Sequence, residues 1–396
     1  MRVALLSSGL VSLPPVRGGA VEEYVFQLTR HLRKFNVEAV AIDYTFNDND
    51  VRLQDINGSL ILRINVPRIT KVPKKYILQE LIFGLKLSKM LDEFDIVHAN
   101  TAWTGFAVAL RHKYRNLIYT CHNGLWPEEC VYASEHIVRL VEGYAMKRSR
   151  TVITLNKTMM RAIARKAHID PRKIFIVPNG VDTEFFKPKI PADDVAERYG
   201  LEGKRVILFV GRVTYVKGVH LLLKTFKELS SKHRDLKLAI VGPLVDRFGE
   251  TKPSQYAKTL MEYARKTLPK DSYVFSGPLD KKTLRKLYSV AYVCVLPSYA
   301  EAFPMVLIEA MSSGCPVLGS NAGGIVNVIE DRITGFIFKK GDYVDLKEKL
   351  EMLVDNEALR KKLSINCRET AEKKYSWKAV ATKLRDIYRK VISIEH

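Results

Sequence analysis

Short apolar runs alternate along the chain with longer segments in which apolar positions recur at helical spacing. Runs at residues 3–7, 37–42, 60–64, 96–98, 116–120, 151–154 and 174–177 predict strands. Between them, residues 20–35, 77–91, 104–112, 137–148 and 157–167 predict helices. Strands that are apolar on both faces and separated by helices predict a parallel sheet covered on both sides. The pattern then breaks. Pro178-Asn179-Gly180 reads as a turn, and residues 187–194, with Pro188 and Pro191 and no periodicity, read as a linker. Alternation restarts with strands at 205–210, 236–241, 273–276, 291–296, 316–319 and 334–338. The helices there are 219–230, 254–267, 284–290, 304–312, 325–329, 346–355, 357–374 and 377–394. The predicted architecture is α/β, two successive Rossmann-like domains whose parallel sheets face a central cleft. Its boundaries are 1–186, 187–374 and a final helical segment, 375–396.

Composition narrows the class. The chain has 396 residues, 64 basic and 43 acidic, a formal net charge of +21. Hydrophobic residues at 47% suit a packed core and exclude a disordered or collagen-like chain. The positive excess asks for nucleic acid, an anionic membrane surface or a phosphorylated substrate. Cys121, Cys130, Cys294, Cys315 and Cys367 are scattered and odd in number. That argues against a disulfide framework or a zinc site and suits a reducing cytoplasm. No stretch approaches the ~20 apolar residues of a membrane span. Residues 1–13 read as a buried first strand, not a signal peptide.

The densest candidate chemistry lies at 298–309, Ser-Tyr-Ala-Glu-Ala-Phe-Pro-Met-Val-Leu-Ile-Glu. Pro304 suits the first helical position. Glu301 then precedes the helix, Glu309 lies inside it, and the helix start between them offers N–H groups to an anion. Eight residues of helix span about 12 Å. That is too far for a glycosidase pair, which needs about 5–5.5 Å or about 6.5–9.5 Å. The two glutamates instead suit opposite ends of one long ligand, as acceptors for sugar hydroxyls. Phe209–Gly218 places Arg212 and Lys217 on a strand-to-helix loop, where two cations suit a diphosphate. It lacks the Walker pattern. Arg17-Gly18-Gly19-Ala20 follows the first strand and lets backbone approach a ligand closely. Asn321-Ala322-Gly323-Gly324 repeats that arrangement in the second half. His98 and His122 both sit at strand ends, and either suits the cleft or a structural role.

These pieces in this order resemble the GT4 family of retaining glycosyltransferases with the GT-B fold. The residues that carry the resemblance are Gly18-Gly19, Thr120-Cys121-His122, Pro178-Asn179-Gly180-Val181-Asp182, Gly211-Arg212 with Lys217-Gly218, Glu301 with Glu309, and Asn321-Ala322-Gly323-Gly324. It covers nearly the whole chain. The resemblance implies a nucleotide-sugar donor whose diphosphate is held by Arg212 and Lys217, which stabilise the leaving charge. It assigns Glu301 to hydroxyls of the transferred sugar, Glu309 to the ribose and His122 to the sugar near the reacting carbon. Backbone near Ala302, Phe303, Pro304, Met305 and Val306, and at Gly18 and Gly19, would line the donor. No enzyme nucleophile, cofactor or metal is implied. The sequence departs from the family at Ala302, where many relatives have glycine, and after Gly19, where no further glycine follows. Asp48-Asn49-Asp50 matches the metal signature of the other large glycosyltransferase fold, but its polar surroundings read as a turn.

The basic excess is spread over both halves. Residues 1–190 hold 28 basic and 18 acidic side chains, and the remainder 36 and 25. Locally, Arg63, Arg68, Lys71, Lys74 and Lys75 have no acid among them, and residues 139–173 hold ten bases with only Glu142 and Asp170. Contact with an anionic membrane that carries a lipid-linked acceptor, and a plain solvated face, are both open readings. Glycan, lipid-linked and small-molecule hydroxyl acceptors are all compatible, as are UDP-glucose and GDP-mannose donors. A nucleotide-sugar epimerase of the same fold is the alternative. A nucleic-acid-binding protein is disfavoured, because no recognisable module accompanies the charge.

Overall fold

The computed structural model describes residues 1–8, 11–15, 19–46, 53–69, 75–87, 90–111, 116–123, 126, 133–246, 250 and 252–393. Asp48-Asn49-Asp50, Gly18 and Cys130 fall outside them. The chain divides into two compact units, Met1–Gly180 with Trp377–His396, and Val181–Ser376. The sequence pattern had placed these divisions at 186 and 374.

Eight strands form the sheet of the first unit: β1 (Arg2–Leu6), β2 (Glu38–Thr45), β3 (Leu53–Ile56), β4 (Ser59–Asn65), β5 (Ile96–Ala99), β6 (Leu117–Cys121), β7 (Thr151–Thr154) and β8 (Ile174–Ile176). Their order is β3-β4-β2-β1-β5-β6-β7-β8. Every pairing is parallel except β3–β4. That edge strand departs from the expected all-parallel sheet. It is joined by the two-residue turn Asn57-Gly58, both at positive φ (53° and 84°), a backbone matched to strand twist.

The second sheet has β9 (Arg205–Val210), β10 (Leu236–Val241), β11 (Tyr273–Gly277), β12 (Ala291–Leu296), β13 (Val317–Ser320) and β14 (Gly335–Phe338). It is parallel throughout, in the order β11-β10-β9-β12-β13-β14. The chain starts in the middle, winds one way to β11 and then the other way from β12. The reversal between β9 and β12 is the place where such sheets open a crevice at the carboxyl ends of the strands. In the first unit the corresponding reversal lies between β1 and β5.

The expected linker is partly a helix, Asp193–Tyr199, with two aspartates in its first turn and Gly200 ending it at φ 60°. The last helix, Trp377–Ser393, belongs to the first unit. Its buried face, including Val380, Leu384 and Tyr388, joins a core with Leu5, Leu28 and Ile118. A Cβ on Gly180 would meet the Trp377 ring at 2.4 Å, so the turn that leaves this unit accepts only glycine without a shift. Cys121, Cys294, Cys315 and Cys367 are buried free thiols. No helix among the described residues is long and apolar enough to cross a membrane.

Candidate active site

At the reversal point of the second sheet, two loops meet. The first leaves β9 through Gly211 and Arg212, forms one short turn at Tyr215–Lys217, and enters the helix Val219–Lys232 through Gly218. The other leaves β12 and carries Tyr299 and Glu301 to the helix Met305–Ser312. The Tyr299 N–H donates to the Val216 carbonyl at 2.7 Å. Gly218 sits at φ 68°, and a Cβ there would lie 2.0 Å from the Pro297 carbonyl oxygen. Only glycine allows the loops to approach this closely.

Lys217 and Glu301, 84 residues apart, are brought into contact, Nζ to Oε2 at 2.5 Å. Their side chains are 22% and 13% exposed. The charges neutralise each other while both stay reachable. Glu309 lies inside the helix, half-buried, and accepts a hydrogen bond from the buried Tyr288 hydroxyl at 3.0 Å. Arg212 is exposed at the rim, and its Nη1 donates to the Asp246 carbonyl at 3.0 Å. The helix starts at Met305, one residue later than expected, with Pro304 in the capping position. Pro304 has no N–H, and the Met305 N–H donates to the Phe303 carbonyl at 3.1 Å. Two of the backbone donors sought between Ala302 and Val306 are therefore not on offer to a ligand in this conformation.

The Asn321–Gly324 loop packs on the backbone of Glu301. Gly324 N–H donates to the Glu301 carbonyl at 2.6 Å, and Gly323, at φ +46°, stands where a Cβ would lie 2.1 Å from that oxygen. This loop cradles the Glu301 backbone. Sequence reasoning also missed the aromatic stack beside it. Tyr215 and Tyr299 stack at 5.4 Å between ring centroids, and His220 lies parallel to both. His220 Nδ1 bonds the Tyr256 hydroxyl at 2.7 Å, and burial lowers its pKa. Tyr215 within the Arg212–Lys217 motif and His220 just after it were the signal available; Tyr256 and Tyr299 are brought in only by the fold.

In the first unit, His122 follows β6. Asn100 donates its amide to the Leu6 and His98 carbonyls at 3.0 and 3.3 Å, which leaves its oxygen to accept from His122 Nε2 at 3.2 Å. That fixes the tautomer with the proton on Nε2 and a lone pair on Nδ1. Desolvation holds its pKa down at about 3, so the ring is neutral at pH 7. The Tyr24 ring packs edge-on against it at 4.6 Å. His98 has a different fate. It is fully buried, with Nδ1 2.6 Å from the Tyr388 hydroxyl and Nε2 2.6 Å from Thr120 Oγ1.

Gly19 precedes the helix Ala20–Arg33 at φ 122°. A Cβ there would lie 2.5 Å from Glu22 Oε2. Glu22 is buried and accepts from the Ser8 hydroxyl. The start of this helix therefore already carries a carboxylate of the chain itself. Asp43 and Glu80, also buried, add negative charge around Tyr44 and raise its pKa further after burial has done so. Burial, with the Glu22 charge adding, pushes Glu80 up to about 7 against the lowering effect of Thr101 and Thr104. No sequence pattern marked these three acids.

Residues 193–370 match the family Glycosyl transferases group 1, and residues 17–185 match Glycosyltransferase Family 4. The chain belongs to the GT4, group 1, glycosyltransferases. Relatives run the length of the enzyme. It is 26% identical to spore coat protein SA of Bacillus subtilis, over 98% of this chain and all of that one. It is 26% identical to the lipopolysaccharide 1,2-N-acetylglucosaminetransferase of Salmonella typhimurium, over 95% of each. Solved structures share the GT-B fold. Sucrose-phosphate synthase from Thermosynechococcus elongatus superposes with a TM-score of 0.79 at 21% identity, covering both chains completely. Anabaena HepE, solved in complex with UDP-glucose, gives 0.75 at 19% identity, over 98% of this glycosyltransferase and 100% of that chain.

Proposed function

We propose that this glycosyltransferase moves a hexose from a UDP- or GDP-linked donor to a hydroxyl of a glycan, lipid-linked or small-molecule acceptor, retaining the anomeric configuration. The observation that carries the reading is the Lys217–Glu301 contact at the reversal point of the second sheet. It holds a diphosphate-binding cation beside an acceptor for sugar hydroxyls. When donor enters, Lys217 leaves Glu301 for the diphosphate, joined by Arg212. Glu301 then accepts from the sugar hydroxyls and Glu309 from the ribose. As the glycosidic bond breaks, negative charge grows on the departing diphosphate, and the two preorganised cations stabilise it. His122, neutral with its proton on Nε2, would meet a sugar as a polar contact rather than as a cation. The buried free thiols suit a cytoplasmic setting.

The structure named with UDP-glucose supports the donor class, since that relative shares the fold over nearly its whole length. Thermal-shift measurements against nucleotide sugars are expected to raise the melting temperature with one sugar nucleotide above the rest. Proton NMR of the product with that donor reads the anomeric configuration. Lys217→Ala and Glu301→Ala are each expected to reduce turnover about 100- to 1000-fold, the scale of losing one preorganised charge contact. Unchanged turnover in both variants would remove the donor-site assignment.

A further inference from the structure

In the first unit, the helix Lys75–Leu87 reverses the usual arrangement of a surface helix. Its buried face holds the polar Gln79 and Glu80, beside Phe83, Gly84 and Leu87. At ~100° per residue, Ile77, Leu78, Leu81, Ile82 and Leu85 fall on the other side, within about 140° of arc. No polar residue of the helix interrupts that arc. Leu78 and Leu85 stand 40% and 42% exposed, and none of the five is buried. A contiguous apolar face turned to solvent marks a contact surface.

The reversal is held in place from below. Gln79 donates its amide to the Pro67 carbonyl at 2.9 Å and accepts from the Ile69 N–H at 3.2 Å. Glu80 faces the start of the helix Ala102–Ala109, where the Thr104 and Trp103 N–H groups act on its carboxylate. Gly84 lets the two helices touch, since a Cβ there would lie 2.6 Å from the Ala107 Cβ. Rolling the helix to bury its leucines would break all three contacts.

Charge selects what covers this face. Lys75 begins the helix and Lys86 lies in its last turn, both exposed and both along one edge of the apolar arc. Lys86 donates to a neutral acceptor, the Asn65 carbonyl, at 2.6 Å. Neither lysine is ion-paired among the described residues. The one acid of the helix, Glu80, is buried. A second copy of the chain would bring another +21 against the first, whereas an anionic bilayer attracts both the two lysines and the chain as a whole. Tyr76, 45% exposed at the helix start, is of the type enriched at lipid headgroup level. The helix has 13 residues. It is about 20 Å long, short of a ~30 Å hydrocarbon core, so its place is along a bilayer surface rather than across it.

We infer that the helix Lys75–Leu87 docks this glycosyltransferase on an anionic membrane surface. Its leucines and isoleucines enter the interface, and Lys75 and Lys86 reach the lipid phosphates. The inference does not depend on the transfer reaction, so either can fail alone.

The test is co-sedimentation of the full-length protein with phosphatidylcholine vesicles, with and without phosphatidylglycerol. Binding is expected with the anionic vesicles. Leu78→Gln combined with Leu85→Gln keeps every charge, at positions already partly in solvent, and is expected to weaken binding at least about tenfold. Ile365→Gln, at a position 60% exposed in the second unit, is the control and is expected to bind as wild type does. Tyr76→Trp leaves the apolar face intact, and brominated acyl chains in the anionic vesicles are expected to quench its added fluorescence. Sedimentation of the double variant equal to wild type would show adsorption by net charge and overturn the proposal. Absence of anionic-vesicle binding, or quenching of Tyr76→Trp no greater than that of wild type, would overturn it too. A dimer in light scattering that the double variant dissolves would give the face to a second copy instead.

Discussion

His98 and His122 look alike in the sequence, each closing a strand of the same sheet. Their difference is set by a partner 290 residues away, the Tyr388 hydroxyl, which clamps His98 against Thr120. Burial pushes the His98 pKa down to about 3. An unfolded histidine titrates near 6.5, so the folded state refuses a proton that the unfolded chain accepts below that pH. Stability from the neutral ring is full above about pH 6.5 and is lost as pH falls toward 3. At pH 5 the loss is about 2 kcal/mol. Because Glu80, raised to about 7, acts in the opposite sense over the same range, the wild type alone does not isolate the effect. Urea denaturation of wild type and His98→Gln at pH 8 and pH 5 does, and the gap between them is expected to be about 2 kcal/mol smaller at the lower pH. The contrast also shows what a residue reading reaches. Arg212, Lys217 and Glu301 were legible as candidates because strand-to-helix loops put polar residues at the ends of parallel strands, and Glu309 through its spacing from Glu301 along the helix that follows. Glu22, Asp43 and Glu80 were not, because nothing local distinguishes a buried acid from a solvated one.

At the scale of elements, the loops act as a unit. Gly323 and Gly218 each admit a neighbouring carbonyl into the space of a side chain, and each has positive φ. Gly323→Ala is expected to displace the Glu301 carbonyl, raise the Michaelis constant for donor and lower the melting temperature. An activity profile identical to wild type would show that the cradle is dispensable. The Tyr215–Tyr299–His220 stack braces the same two loops from the other side. Most strands were readable from apolar runs, and Thr151–Thr154, Arg205–Val210 and Ala291–Leu296 match to the residue. The β3–β4 hairpin was missed although Asn57-Gly58 is a strong hairpin signal, because β3 is half-exposed and has no apolar run. The helix Asp193–Tyr199 was hidden by the nearby prolines and by burying only Val195. The adjacency of β9 and β12, which creates the Lys217–Glu301 contact, is a property of sheet order, on which the order of strands along the chain is silent.

For the whole molecule, the reaction is proposed to need no metal, because Arg212 and Lys217 supply the positive charge at the leaving diphosphate. EDTA is expected to leave the transfer rate unchanged, and a rate restored only by a divalent ion would reverse that assignment. The final helix invites a stability test. Trp377 is 4% exposed and packs against Gly180 and Tyr24. Trp377→Ala is expected to cost about 3–5 kcal/mol, read by chemical denaturation. Ending the chain at Ser376 removes a wall of the first core and is expected to yield a product that lacks its cooperative transition. The same helix has a consequence during synthesis. Residues 181–376 are contiguous and can finish folding as soon as they emerge, whereas residues 1–180 leave the ribosome first and still lack a piece of their core. The half made earliest is completed last. Until the final twenty residues arrive, the surface around Leu28, Ile118 and Val177 stays uncovered, so chaperone capture and premature-stop products should both concentrate on the N-terminal half.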